Sequence, residues 1–235
     1  MKCGTTSLYD YILQHPQILP ASQKEIMFFN DEKLFQLGKD WYLSNFPPIA
    51  DELNYLTGEA STMYVHSSLV AQRVKDFFPK TKIIVILRDP VARAISHYFF
   101  NVKQGVVSNK TIEQIISVEF NKINKMTDLS TELNGINGVV LAGLYIYFLK
   151  QWMSIFPKEQ FLILQTEDLA TAPVSLMEKV FKFLELPNYE ISQSPKKNSG
   201  SYRQISDEIL GKLSDFYRPH NQMLEEYIGT KFDWQ

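Results

Sequence analysis

The sequence has 235 residues, of which 45% are hydrophobic, enough for one substantial buried core, so we expect a single domain over residues 1–235. Its 24 Lys and Arg residues nearly balance 26 Asp and Glu residues, and the net charge of -2 gives no general attraction to nucleic acid or anionic lipid. Any anion-binding site must therefore be local.

The cellular setting predicted by the sequence is a reducing one. Cys3 is the only cysteine, so the chain cannot form an internal disulfide. The longest apolar stretch, residues 138–149, is shorter than the roughly 18–20 residues that a membrane span needs, and it predicts a buried helix. The start of the sequence lacks the charged and apolar regions of a signal peptide. These features favour a cytoplasmic enzyme with no membrane span in this chain.

The first half of the sequence predicts helices around one buried strand. A short amphipathic helix is expected from Thr5 or Thr6 and should end before Pro16. An aromatic-rich segment, residues 31–48, predicts one helix and a loop. A helix over residues 67–78 leads to KIIVIL, residues 82–87, a continuous apolar run typical of a buried parallel strand, and a further helix runs to Phe100.

The second half repeats the alternation of helix and strand. Residues 121–137 are polar and predict either a surface loop or a mobile flap over a site. A long helix over residues 139–155 precedes FLIL, residues 161–164, a second short buried strand. Helices are expected at about residues 172–184 and 204–227, separated by the polar stretch SQSPKKNSGSYR. The alternation indicates an α/β sandwich with parallel strands.

The opening segment, KCGTTSLYDYI, has the composition of an anion-binding helix start. It places Lys2, Gly4 and hydroxyl residues where free backbone N–H groups and the helix dipole attract an anion. Alternatively, Thr5 or Ser7 merely caps the helix while Lys2 lies in solvent. The kinase P-loop pattern is not met, because it needs a lysine directly after a glycine and Lys2 precedes Gly4 by two residues.

Two further segments have suitable groups for phosphate. In IIVILRDPVARAISHYFF, Arg88 ends a buried strand and Ser96 lies two turns into the next helix. Ligands bind outside the carboxyl ends of such strands, and a guanidinium group matches phosphate, although Arg88 and Asp89 are equally compatible with an ion pair. KKNSGSYR, residues 196–203, is either a phosphate-wrapping loop or a solvated basic loop.

Four segments in the right order resemble the sulfotransferases that use 3'-phosphoadenosine 5'-phosphosulfate (PAPS), especially the branch of heparan sulfate and small bacterial enzymes. KCGTTSLYDYI resembles the family's 5'-phosphosulfate loop and RDPVARAISHYF its 3'-phosphate motif. KEIMFF, residues 24–29, resembles its lysine-glutamate-x-x-phenylalanine-phenylalanine segment, and WMSIFPKEQFLILQTEDL its late helix and strand. The resemblance implies a P-loop NTPase-like three-layer sandwich with a central parallel sheet flanked by helices.

The resemblance also implies a role for particular residues in transferring a sulfonate group from PAPS to a hydroxyl or amine. Lys2 would lie beside the oxygen that links phosphate to sulfonate. The 5'-phosphate would be held by Gly4, Thr5, Thr6 and Ser7, and the 3'-phosphate by Arg88 and Ser96. The late cofactor loop would contribute Lys197, Gly200, Tyr202 and Arg203.

In-line displacement needs positive charge at the leaving oxygen and a group that takes the acceptor's proton. Lys2 suits the first role, and Glu25 of KEIMFF is the candidate base, unless it is only a surface acid beside Lys24. His66 is the rival base or a group that positions the acceptor, or a structural histidine. No cluster has metal-ligand spacing, so no metal is expected. The acceptor is open among small molecules, carbohydrates, lipids and carrier-bound groups.

The sequence departs from the family at its start. Family members have an apolar strand before the phosphosulfate loop, whereas here the loop follows Met1. We therefore expect the first central strand to be missing and a hydrophobic groove to lie open beside KIIVIL. A truncated or non-catalytic nucleotide-binding protein is the alternative. A P-loop kinase is less favoured, because Arg88 and Pro90 flank the aspartate that would bind magnesium.

Overall fold

Two pairs of parallel strands organise the chain in the computed structural model, which describes residues 1–48, 54–192 and 205–234. Strand β1 (Ile18–Pro20) pairs with β2 (Leu56–Gly58), and β3 (Ile83–Leu87) pairs with β4 (Phe161–Gln165). The predicted strands KIIVIL and FLIL are thus confirmed as parallel neighbours, while β1 and β2 were not predicted. Among the described residues the two pairs share no ladder, so these four strands do not form one continuous sheet.

Helices precede and follow these strands throughout the chain. The α-helices of the described residues are α1 (Thr5–Ile12), α2 (Glu32–Phe35), α3 (Gly38–Leu43), α4 (Ser68–Phe77), α5 (Pro90–Lys103), α6 (Ile112–Ile123), α7 (Leu129–Glu132), α8 (Tyr145–Met153), α9 (Thr166–Thr171), α10 (Pro173–Phe183) and α11 (Asp207–Ile228). No helix within those described ranges is long and apolar enough to cross a membrane.

Strand β3 separates two hydrophobic clusters, because successive side chains of a strand point to opposite faces. Val85 and Leu87 pack in the cluster formed by α5, α6, α8 and α11. Ile84 and Ile86 pack in the cluster formed by α1 and α10. Helices therefore cover both faces of the β3–β4 pair, which explains why both strands are continuous apolar runs. The α/β class predicted from the sequence is confirmed.

The aromatic residues of KEIMFF and of the segment that follows it form a third hydrophobic cluster. Phe28 and Phe29 are fully buried, with ring centroids 5.0 Å apart in an edge-to-face arrangement. Tyr42 is also buried there, and Trp41 and Phe46 pack against the cluster from α3 and the loop after it. These aromatic residues anchor the KEIMFF segment in the core.

The predicted helix over residues 139–155 is divided in two. A 3₁₀ turn (Leu141–Gly143) precedes α8, because the carboxylate of Glu119 accepts the N–H groups of residues 139–141 at 2.7–2.9 Å. Gly143 then packs so closely on Tyr217 that a Cβ would lie 2.8 Å from the tyrosine hydroxyl. Neither contact is visible in a periodicity pattern.

The polar region after Asn121 is more regular than a loop. Helix α6 (Ile112–Ile123) was not predicted, although Thr111 and Gln114 form a complete capping box at its start. Helix α7 follows within the stretch expected to be a loop or flap. The predicted helix at residues 172–184 begins at Pro173, with α9 directly before it.

The groove expected beside β3 is a small cavity of about 50 Å³. It lies between Met1, Cys3 and the β3 residues Val85 and Leu87, and α8 closes it on another side. His66 and Arg93 also line it, so this cavity is not purely hydrophobic.

Candidate functional site

Residues 2–7, which we call the phosphosulfate loop after the family motif they resemble, lead into α1 with a free helix N-terminus. Gly4 is the N-cap and has left-handed backbone angles (φ 79°), which glycine adopts without steric cost. No side chain caps the helix, so the alternative role of Thr5 or Ser7 as a cap is wrong. The first hydrogen bond of the helix runs from Leu8 N to Gly4 O (3.0 Å), and the N–H groups of residues 5–7 lie ahead of it. This geometry suits an anion.

The carbonyl oxygens of the loop are fixed to the carboxyl end of β3. Arg88 donates from Nη1 to Lys2 O at 3.3 Å. The Thr166 hydroxyl lies 2.6 Å from Cys3 O and 2.9 Å from Leu87 O, and so bridges the loop and the strand. Thr166 lies at the start of α9, and its methyl group would be 3.4 Å from a Cβ at Gly4. The loop is therefore held through its carbonyl oxygens, and these bonds leave its N–H groups unused.

The side chain of Lys2 lies against α5. Its Nζ is 4.5 Å from the ring centroid of Phe100, and Lys2 itself has a positive φ of 66°. A cation over an aromatic face is attracted by the ring quadrupole. The ammonium group is thus placed beside the helix that follows Arg88.

Arg88 and Ser96 occupy different environments. Arg88 is half-buried, and its carbonyl accepts the Tyr145 hydroxyl at 2.8 Å. Asp89 acts as the N-cap of α5 through Val91 N at 2.8 Å. Ser96 is 2% exposed on α5. The structure thus brings Arg88 to the phosphosulfate loop, whereas the Ser96 hydroxyl lies inside the fold.

Sequence reasoning missed the buried Arg93. Its guanidinium donates to Val139 O and lies 3.4 Å from His97 Nδ1, so it joins α5 to the segment before α8. Burial, and next the charge of Arg93, lowers the pKa of His97 to about 3. The signal was the spacing of Arg93 from Pro90, Ser96 and His97, which places it with these buried residues on one face of α5.

Glu25 is held as a partly buried carboxylate rather than a free surface acid. Its Oε2 accepts Thr62 N at 2.7 Å and Thr62 Oγ1 at 3.2 Å, while its Oε1 pairs with Lys24. The Glu25 side chain is 33% exposed to solvent. Burial lowers the pKa of the Met1 amino group, and the charges of Glu25 and Lys24 make smaller contributions that act in opposite directions.

His66 lies in the interior. It is 3% exposed and packs edge-to-face on Phe148 at 4.7 Å. Among the described residues, neither ring nitrogen has a hydrogen-bond partner. Burial, followed by the nearby positive charges, lowers its pKa to about 3, so the imidazole is neutral near pH 7.

The late cofactor loop predicted from KKNSGSYR lies outside the described residues. Its four predicted ligands are Lys197, Gly200, Tyr202 and Arg203.

Comparison with known proteins places this geometry in a family. The sulfotransferase domain family matches residues 1–207. The solved structure of a sulfotransferase from Alicyclobacillus acidocaldarius is 26% identical with a TM-score of 0.78, covering 98% of this chain and 93% of that one. At this similarity the likeness extends over nearly the whole of both chains.

Curated relatives agree with the structural likeness. The bifunctional heparan sulfate N-deacetylase/N-sulfotransferase 3 of Homo sapiens is 31% identical over 97% of this chain, and the heparan sulfate glucosamine 3-O-sulfotransferase 5 of Mus musculus is 28% identical over 99%. The membrane-associated sulfotransferase kil1 of Dictyostelium discoideum is 24% identical over 100%.

The matched length differs among these relatives. The chain spans 71% of the mouse protein, 65% of the Dictyostelium protein and 29% of the human bifunctional protein. The family match covers most of the chain and includes the phosphosulfate loop, Arg88 and Glu25. The chain belongs to the sulfotransferase domain family.

Proposed function

We propose that this chain transfers the sulfonate group of PAPS to a hydroxyl or amine acceptor. The observation that carries the proposal is the N-terminus of α1, whose free N–H groups lie beside Lys2 while Arg88 and Thr166 fix the loop's carbonyls. The site combines a helix dipole, an ammonium group and a guanidinium group, which together suit a ligand with several phosphate charges.

The described residues fit the phosphate groups of this cofactor. The N–H groups of residues 5–7 would hold the 5'-phosphate, because they precede the first hydrogen bond of α1. Arg88 would bind the 3'-phosphate with its remaining N–H donors, and Ser96 would join it if its hydroxyl becomes accessible. Lys197, Gly200, Tyr202 and Arg203 would complete the site. When bound, PAPS supplies an activated sulfonate whose sulfur–oxygen bond to phosphate breaks during transfer.

Lys2 has the position and charge to stabilise the leaving phosphate oxygen. The electron pair of the broken sulfur–oxygen bond stays on that oxygen, so the interaction with an ammonium group strengthens in the transition state. The ring of Phe100 lies beneath the ammonium group and limits its freedom before the reaction.

Glu25 is the favoured base, taking the proton that the acceptor loses as its oxygen or nitrogen bonds to sulfur. Its carboxylate is partly exposed and oriented by Thr62. His66 is less suited, because it is buried and faces the cavity behind the loop. Its lowered pKa of about 3 also makes it a weak base.

The acceptor class rests on the relatives. Two of them are named for N-sulfotransferase and glucosamine 3-O-sulfotransferase activity on heparan sulfate, so a carbohydrate amine or hydroxyl is the first acceptor to screen. Small molecules, lipids and carrier-bound groups follow in the screen. The cytoplasmic location stays a prediction.

The test is calorimetric binding of 3',5'-bisphosphoadenosine, the product nucleotide, without metal. Arg88→Ala should weaken binding by about 10-fold or more, because a charge-assisted hydrogen bond contributes roughly 1.5–3 kcal/mol. Arg218→Ala is the matched control, since Arg218 pairs with Asp215 on the surface. Equal nucleotide binding by the wild type, Arg88→Ala and Arg218→Ala would show that Arg88 is not part of the site. Binding without transfer to any acceptor would instead support the non-catalytic alternative.

A further inference from the structure

A second carboxylate, Glu59, lies beneath the Glu25 segment, which we define as residues 25–29. Glu59 directly follows β2, and its Oε2 accepts the Ser61 hydroxyl at 2.7 Å. Its Oε1 accepts the Tyr64 hydroxyl at 2.9 Å, and the Tyr42 hydroxyl lies beside it. A hydroxyl can donate only one hydrogen bond. Ser61 and Tyr64 each donate theirs to Glu59, so their oxygens remain available as acceptors.

Those two oxygens bind the backbone of the Glu25 segment. Ser61 Oγ accepts Met27 N at 3.2 Å, and Tyr64 OH accepts Phe29 N at 3.3 Å. Hydrogen bonds in such a chain polarise one another, so a carboxylate at its end makes each hydroxyl oxygen a better acceptor. Burial, and next the charge of Glu59, raises the pKa of Tyr64 above its ordinary value, which keeps this hydroxyl protonated as a donor.

The backbone of the Glu25 segment needs such support. Glu25 and Met27 both have φ of 62°, a conformation that costs a residue with a side chain about 1–2 kcal/mol. Between and after them, Ile26 and Phe28 are buried at 1% and 0% exposure. This alternation turns the Glu25 side chain away from the core, and the bonds to Met27 and Phe29 fix it in that orientation.

We propose that Glu59 is a positioning residue for Glu25, acting through the hydroxyls of Ser61 and Tyr64. The inference rests on the proposed function, in which Glu25 accepts the proton. Glu59 is poorly placed to be that base itself, because both of its oxygens already accept hydroxyl groups of the protein. The relay holds the backbone that carries the base and touches neither cofactor nor acceptor.

The first test measures hydrogen exchange at the amides of Met27 and Phe29 in the double variant Ser61→Ala, Tyr64→Phe. This variant keeps both carboxylates and the aromatic ring, and the protection of α4 in the same experiment shows that it has folded. Exchange at both amides should become at least about 10-fold faster, because each loses its acceptor, while α4 stays protected. Ser154→Ala, Tyr147→Phe is the matched control, since Ser154 Oγ bonds Gln151 O and Tyr147 OH bonds His220, both away from the Glu25 segment. Unchanged exchange at residues 27 and 29 would overturn the relay.

The second test compares turnover with cofactor affinity. The double variant should lose roughly 10-fold or more in kcat with an unchanged KM for PAPS, since displacing a reacting group by about 1 Å can lower rates 10²-fold. Glu59→Gln should retain more activity than Glu59→Ala, because its amide oxygen still accepts a hydrogen bond. Faster exchange with wild-type kcat would overturn the positioning role.

Glu25→Gln, assayed in parallel, separates the two proposals. If this variant is inactive and the double variant has wild-type kcat, the base assignment holds and the positioning proposal fails. If Glu25→Gln transfers sulfonate at the wild-type rate, the base assignment itself fails, and hydrogen exchange still decides whether the hydroxyls of Ser61 and Tyr64 hold the segment.

Discussion

The phosphosulfate loop and the Glu25 segment each carry one charged side chain, but opposite backbone groups hold them. In the loop, the protein binds carbonyl oxygens, since Arg88 donates to Lys2 O and Thr166 to Cys3 O. In the Glu25 segment it mainly binds N–H groups, with Glu25 N donating to Ala60 O at 3.1 Å and the amides of residues 27 and 29 donating to hydroxyls. Only at the end of the segment does a side chain bind a carbonyl in the described structure, where Arg73 donates to Phe29 O at 3.0 Å.

This difference follows from what each segment has to do. A loop that binds phosphate must keep its N–H donors for the ligand, so its structure is secured through acceptors. A segment that places a carboxylate has no such need, and hydrogen-bonding its N–H groups makes it rigid. Under the proposed function, the site combines N–H donors kept for a ligand with a carboxylate held in place to accept a proton.

The largest expected effect is on Lys2. Lys2→Ala should lower kcat by roughly 10²–10³-fold, the range for removing one group that stabilises a developing oxyanion, and should change PAPS affinity far less. Steady-state kinetics and nucleotide binding measure the two effects. Lys212→Ala is the control, since Lys212 pairs with Glu208 on the surface of α11. Unchanged turnover would remove Lys2 from catalysis.

The next effect tests the other segment. Glu25→Gln should cut transfer by about 10²-fold or more at normal cofactor binding, because the amide cannot take a proton. Glu208→Gln is the control, because it makes the same change of charge at an exposed side chain of α11. Wild-type transfer by Glu25→Gln would make His66 the leading candidate and weaken the contrast between the two segments.

A third prediction concerns the buried imidazoles of His66 and His97, whose pKa values are both lowered to about 3. The unfolded chain binds these protons near pH 6.5, so the folded state loses stability as pH falls from about 6.5 towards 3. Each histidine contributes at most about 1.4 kcal/mol per pH unit to that loss. Urea unfolding of His66→Leu at several pH values should show a shallower decline than the wild type. An equal slope would mean that His66 is not buried as a neutral ring.

The smallest effect concerns the shape of the loop. Gly4→Ala should lower the free energy of unfolding by about 1–2 kcal/mol, because φ is 79° and the new Cβ would lie 3.4 Å from Thr166. Gly211→Ala should instead stabilise the protein by roughly 0.5–1 kcal/mol, since nothing lies within 4 Å of its Cβ position in α11. Denaturant unfolding distinguishes them, and a neutral Gly4→Ala would show that the loop does not require this conformation.

Local patterns predicted the helices whose hydrogen bonds close within the chain segment itself, and the two strands that are buried on both faces. The spacing of apolar residues predicted α1, α4 and α11 nearly to their ends, and continuous apolar runs predicted β3 and β4. Patterns failed where distant groups decided the backbone. Glu119 divides the helix at residue 141 from 22 positions away, and no local periodicity records that contact.

The sequence by itself determined the α/β class, the parallel strands and the residues that resemble a cofactor-binding loop, because these depend on residue type, order and spacing. Only the tertiary structure decided that Thr166 secures the loop, that His66 is buried and that Ser61 and Tyr64 bind the backbone of the Glu25 segment. Those contacts join residues 34 to 163 positions apart. Their geometry depends on packing across the whole fold, which a linear pattern does not contain.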